Sequence, residues 1–115
     1  MYKLKGTRIS LIRGDTLIVG IEIKRNGEPY EVQSDDVIRF ALKRAIMKKD
    51  STDFLDNAPL VTKIIPNDTL TLRLESEDTA DLPFGNYSYD IQLTMGDGTV
   101  DTFISDTLEL LAEVD

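Results

Sequence analysis

The sequence predicts an all-β fold of seven to eight short antiparallel strands, packed as a sandwich or small barrel. Two observations carry this. Apolar residues recur at every second position through most of the chain, which is the period of half-buried strands. Turn signals break these runs at short, fairly regular intervals, and no strand run alternates with a long helical one. The 115 residues suit one domain, spanning 1–115, with 41% hydrophobic and 30% charged residues in an ordinary globular balance.

Each element follows from its residues. Arg8-Ile9-Ser10-Leu11-Ile12-Arg13 reads as a strand closed by Gly14-Asp15. Leu17, Val19, Ile21 and Ile23 then alternate with Ile18, Gly20, Glu22 and Lys24. Asn26-Gly27 is the strongest short hairpin signal, because both residues tolerate positive φ. The segment Glu28-Pro29-Tyr30-Glu31-Val32 is at best a short edge strand, since Pro29 has no amide donor. Residues 36–46 read two ways. As a strand, Ile38, Phe40 and Leu42 share a face. As a helix, Ser34 caps a stripe of Ile38, Ala41, Leu42, Ala45 and Ile46. The strand is preferred because its neighbours are strands.

Residues 43–58 are polar and irregular and are expected to form a long connection. Leu60 to Ile65 is a strand stopped by Pro66, and Leu70, Leu72 and Leu74 alternate in the next one. Ser76 to Asp81 fits one helical turn crossing between sheets. Tyr87, Tyr89, Ile91 and Leu93 form the clearest alternation, followed by a hairpin loop at Met95 to Thr99. Val100 begins a strand with Thr102 and Ile104 on one face. Leu108, Leu110, Ala112 and Val114 alternate at the end. The expected core is Leu17, Val19, Ile21, Ile23, Ile38, Phe40, Leu42, Leu70, Leu72, Leu74, Tyr87, Tyr89, Ile91, Leu93 and Ile104.

Composition excludes much chemistry. The chain contains no His and no Cys. That removes the usual general base, thiol nucleophiles, thiolate metal sites and disulfides. Without Trp, and with four Tyr and four Phe, aromatic ligand platforms are poorly supplied. No apolar run spans a membrane, and the amino terminus lacks an apolar signal core. No catalytic residue, cofactor or metal is implied, and the chain is read as a non-enzyme. Asp50, Asp53, Asp56 and Asn57 lack the spacing of a calcium loop, as do Asp97, Asp101 and Asp106. Arg13-Gly14-Asp15 matches an adhesion tripeptide but is ordinary turn chemistry.

Net charge is −8, which argues against nucleic acid as a partner. Residues 1–49 carry +5 and residues 50–115 carry −13. Either interleaved strands mix the halves in space, or the molecule has a basic and an acidic face suited to head-to-tail contact. Lys43-Arg44 and Lys48-Lys49 form the basic cluster.

The order Leu82, Gly85, Tyr87 has the rhythm of a tyrosine corner, in which the phenol bonds back to the chain crossing between two sheets. With it, Arg13-Gly14-Asp15-Thr16, Asp36-Val37-Ile38-Arg39-Phe40-Ala41-Leu42-Lys43, Asp90-Ile91-Gln92-Leu93, and Gly96-Asp97-Gly98 with Asp101-Thr102 complete a pattern. The chain resembles small β-sandwich structural proteins of Firmicute phages and prophages, and the amino-terminal domain of phage baseplate upper proteins. The resemblance implies an immunoglobulin-like sandwich used as a virion building block in a tail, baseplate, neck or head. Such a protein is made in the bacterial cytoplasm and resides in the virion. Its partners are other virion proteins or copies of itself, with no membrane involved. Expected contacts are Lys43, Arg44, Lys48 and Lys49 in the long connection, and Leu108, Leu110 and Leu111 on an exposed carboxy-terminal edge strand. The alternative is a free-standing binding module that recognises a host protein or carbohydrate through its loops.

Overall fold

The computed structural model describes residues 2–44 and 59–112. In chain order the elements are β1 (Tyr2–Lys5), β2 (Arg8–Ile12), β3 (Leu17–Gly20), β4 (Lys24–Arg25), β5 (Glu28–Pro29), β6 (Val37–Arg44), β7 (Val61–Ile65), β8 (Thr71–Leu74), α1 (Ser76–Thr79), β9 (Gly85–Thr94) and β10 (Val100–Leu111). The fold is all-β and sandwich-like. One six-stranded sheet runs in the order β1-β2-β10-β9-β6-β7, and the pair β3-β8 packs on its inner face. β4 and β5 form a separate small hairpin.

The strands are antiparallel except for one contact. β2 and β10 run parallel, with Ile9 opposite Leu108 and Leu11 opposite Leu110. Val37–Arg44 forms a strand in place of the helical alternative, and Ile38, Phe40 and Leu42 are fully buried. Neighbours on both sides explain this. β6 pairs with β7 along one edge and with β9 along the other, so ladder bonds on both edges outweigh weak helical propensity.

The core forms where the two sheets face each other. Ile38, Phe40, Leu42, Tyr89, Ile91 and Leu93 meet Leu17, Leu72 and Leu74. Phe40 packs on the Tyr89 ring at a centroid distance of 5.6 Å. Leu17 and Val19 stand opposite Leu74 and Leu72 across β3-β8, so both strands present one apolar face. Four expected core residues, Val19, Ile21, Leu70 and Ile104, are only partly buried and pack around this centre. Ile9, Leu11, Ile65, Leu108 and Leu110 join it instead.

Among the described residues, two that are not glycine, Asn26 and Leu70, have positive φ. Asn26 (φ 54°) and Gly27 (φ 79°) form the hairpin turn between β4 and β5. Leu70 also has positive φ, at 49°. Its amide donates to the Pro66 carbonyl at 2.9 Å and its carbonyl accepts from Ile21 at 2.7 Å, which hold it there.

β10 is one strand of twelve residues, not two pieces. A register shift between Thr102 and Ile104 places Thr102 opposite Gln92 and Ile104 opposite Ile91. The bulge therefore separates residues that simple alternation puts on one face. Thr102 is exposed and Ile104 turns toward the core.

Charges from the two halves of the chain meet in space. Arg8 lies 3.8 Å from Glu109, Arg25 3.3 Å from Asp101 and Lys43 3.4 Å from Asp90. The interleaved strands thus pair first-half cations with second-half acids. The more exposed Arg8 and Arg25 pairs contribute little stability individually.

Candidate interaction surface

At one end of the sandwich the chain passes from α1 through residues 80–84 into β9. Glu75 donates its amide to the Asp78 carboxylate at 2.7 Å, and the Lys63 ammonium lies 2.8 Å from the same group. Thr79 is fully buried, and its Oγ1 accepts the Gly14 amide at 3.0 Å. The short helix is thereby tied to the turn between β2 and β3.

The next residues form a corner. The Tyr87 hydroxyl donates to the Pro83 carbonyl, four residues back, at 2.5 Å. Burial raises the Tyr87 phenol pKa, partly offset by the Arg44 charge. Gly85 sits at φ 139° with open space where a Cβ would stand, so conformation rather than room selects glycine there. Two positions on from Tyr87, Tyr89 makes a longer link. Its hydroxyl donates to the Thr7 carbonyl, and the Thr7 hydroxyl donates to Asp106. Burial pushes the Tyr89 phenol up to about 12, and the Asp106 charge adds to this. The Thr7 hydrogen bond, followed by the Thr107 amide, holds Asp106 below the usual carboxylate range.

Arg13 crosses this corner. Its Nη1 donates to the Leu82 carbonyl at 3.3 Å, and its guanidinium stands 4.0 Å over the Phe84 ring. Its backbone amide donates to the Leu111 carbonyl at 3.0 Å, which brings the end of β10 alongside. Phe84 is 50% exposed, Leu111 40% and Leu60 37%. Arg44, Leu60, Pro83, Phe84 and Tyr87 line a cleft of about 370 Å³. An exposed aromatic ring, flanking leucines and arginine are the composition of protein–protein contact centres.

The expected site residues divide. Arg44 and Leu111 belong to this end with Leu82, Gly85 and Tyr87. Lys43 does not share the cleft. As the strand alternates, it stands opposite Ser88 while Arg44 stands opposite Tyr87, and its ammonium pairs with Asp90. Lys48 and Lys49 lie outside the described residues, as do Asp50, Asp53, Asp56, Asn57 and most of the expected long connection.

Leu108 and Leu110 require a correction. They are 0% and 1% exposed, in a strand paired with β2 on one side and β9 on the other. Leu108 and Leu110 therefore lie in an interior strand, and the edge strands of the large sheet among the described residues are β1 and β7. Alternation within a single strand reports a buried face but not the number of neighbours, so it does not distinguish an edge from an interior position.

The acidic candidates have separate local partners. Asp97 accepts the Thr99 amide at 2.9 Å, Asp101 faces Arg25 and Asp106 accepts from Thr7. Among the described residues, no group of three or more acidic side chains is placed to hold a metal ion. None of their helices is long and apolar enough to cross a membrane.

Arg13 has a role that its sequence position, beside a turn, does not reveal. An arginine just past an apolar strand is the available signal, but its partners lie far along the chain. A lock at the opposite end is equally hidden, where buried Asp36 accepts Tyr30 Oη at 2.6 Å and the Gln33 amide at 2.8 Å. Scanned against protein-family models the chain matches none, and no curated protein matches it.

Proposed function

We propose that this chain is an immunoglobulin-like sandwich acting as a structural or assembly protein of a phage or prophage virion. It works in the tail, baseplate, neck or head by packing against other virion proteins or copies of itself. It is made in the bacterial cytoplasm and resides in the particle. The sequence resemblance supplies the virion setting. Support for the immunoglobulin-like assignment comes from connectivity. β3 and β8 form one sheet, β6, β9 and β10 lie together in the other, and an early strand runs parallel to the last. The backward bond from Tyr87 at the start of β9 fits the tyrosine corner of that fold.

The observation that carries the packing role is the half-exposed Phe84 ring under the Arg13 guanidinium, in a cleft that exposed Leu60 also lines. A desolvated aromatic–arginine centre with an apolar surround is how few residues dominate a protein contact. Light scattering of the full chain across concentration, at low and high salt, tests this. We expect an oligomer that persists in high salt and dissociates in Phe84→Asp. An oligomer unchanged by Phe84→Asp would remove this surface from the reading. Strict monomers at every concentration would exclude self-packing and require a different partner chain.

A further inference from the structure

The large sheet ends on two strands whose edges differ. β1 carries Lys3 and Lys5 among its four residues, and lysine on an edge discourages pairing with another chain. β7, at the other end, has Lys63 as its one charged residue, and that ammonium is held 2.8 Å from Asp78. Ile64 on the same strand is 63% exposed, the most open of the large apolar side chains among the described residues. Thr62 is exposed as well.

Backbone geometry adds a second feature. Main-chain groups of a strand alternate between its two sides from residue to residue. The Leu42 carbonyl accepts the Leu60 amide at 2.7 Å, so Leu42 of β6 faces β7. Phe40 and Ile38 face the same way, and their partners Lys63 and Ile65 bond back to β6. The hairpin between β9 and β10 gives the same phase. The Met95 amide donates to the Thr99 carbonyl at 2.8 Å, which turns Leu93 toward β10 and leaves Gln92 and Thr94 facing β6. Their partners Arg39 and Val37 face β9, again leaving Ile38 and Phe40 for β7. The amides and carbonyls of Thr62 and Ile64 therefore point away from the sheet. Among the described residues, β7 pairs with β6 alone, and neither Thr62 nor Ile64 takes another partner.

We propose that β7 pairs antiparallel with β7 of a second copy, joining the two large sheets edge to edge across a two-fold axis at Lys63. Thr62 of each copy then stands opposite Ile64 of the other, and every outward amide and carbonyl of these residues gains a partner. A two-fold contact needs a surface complementary to itself, and antiparallel pairing about a central residue supplies one. On the outer face each Ile64 covers the methyl group of the other copy's Thr62. On the inner face the two Lys63 side chains meet, and the two Asp78 carboxylates leave that group neutral. A charged foreign segment has nothing to recognise here, since β7 has no carboxylate and its one cation is already paired. The edge selects main-chain and apolar complementarity, which its own copy has. The inference uses no residue of the Phe84 surface, so either contact can fail alone.

The test is sedimentation equilibrium and amide exchange on the full chain carrying Phe84→Asp, which removes the Phe84 contact. A dimer is expected, tightened by added salt because both copies are strongly acidic and their repulsion is screened. Exchange of the Thr62 and Ile64 amides should slow as concentration rises. Adding Thr62→Pro, which removes an amide that β6 does not use, should weaken the dimer about tenfold or more, the scale of the main-chain bonds lost. Ile64→Lys should weaken it by a similar factor, because it places an unpaired charge on the edge. Thermal melts verify that the variants are folded, and Ile64→Lys, at an exposed site, carries the test if Thr62→Pro is not. Monomers up to millimolar concentration, or a dimer that Ile64→Lys leaves unchanged, would overturn the pairing. Slowed exchange centred on β1 would assign the contact to the opposite edge and overturn it equally.

Discussion

β9 and β10 are adjacent strands of the same sheet, and both feed the core, yet they differ in how local pattern relates to packing. β9 alternates without interruption, with Tyr87, Tyr89, Ile91 and Leu93 buried and the intervening residues partly exposed. β10 changes phase at the bulge between Thr102 and Ile104, and only Leu108 and Leu110 reach full burial. Alternation identifies a buried face when a ladder is regular. One inserted residue reverses the faces and makes a continuous strand look like two. The second difference concerns neighbours. β9 lies between β6 and β10, while β10 gains its second neighbour, β2, from the other end of the chain.

The largest effect that sharpens this comparison comes from Leu108. Leu108→Ala should cost roughly 2–5 kcal/mol in chemical denaturation, as should Leu93→Ala in β9 and Leu72→Ala in the small sheet. A loss below about 1 kcal/mol for Leu108 alone would restore the exposed-edge picture of β10.

The Tyr89 phenol gives a pH-dependent effect next in size. Its pKa is pushed up to about 12 in the folded chain, against roughly 10 when unfolded. The folded state thus holds the proton that the unfolded state has lost. The stability contribution is complete below about pH 10 and falls as pH rises toward the folded value. Urea midpoints should decline through this window, and Tyr89→Phe should flatten the decline. An equally steep decline in the variant would assign it to other groups.

Smaller again is Tyr87→Phe, which removes the bond to Pro83 and should cost about 0.5–1.5 kcal/mol. No measurable loss would mean that the corner geometry survives without the hydroxyl. The smallest expected effect is Leu111→Ala, within about 0.5 kcal/mol of the parent. The contrast between Leu111 and Leu108, near neighbours on one strand, separates surface from core most directly.

Legibility in the sequence followed the range of the interactions. The Tyr87 corner was readable because donor and acceptor are four residues apart. The Tyr89 bond to Thr7 spans most of the chain and left no local trace. Likewise Phe84 and Arg44 could be seen as residues, but not the stacking of Arg13 on Phe84 or the bond from the Arg13 amide to the Leu111 carbonyl. The basic and acidic halves left two readings open, charges mixed by interleaved strands or two charged faces, and in the fold Arg8, Arg25 and Lys43 pair with acids from the second half.

Local chemistry alone was enough for the all-β class, most strand positions, the Asn26-Gly27 turn and the central core, because alternation and turn conformations follow directly from neighbouring side chains. The parallel pairing of β2 with β10, the bulge, the interior placement of Leu108 and Leu110, and the surface around Phe84 emerge only in the folded chain. Each of these depends on which distant segment supplies a backbone or side-chain partner, and that choice is made by collective burial of the apolar faces.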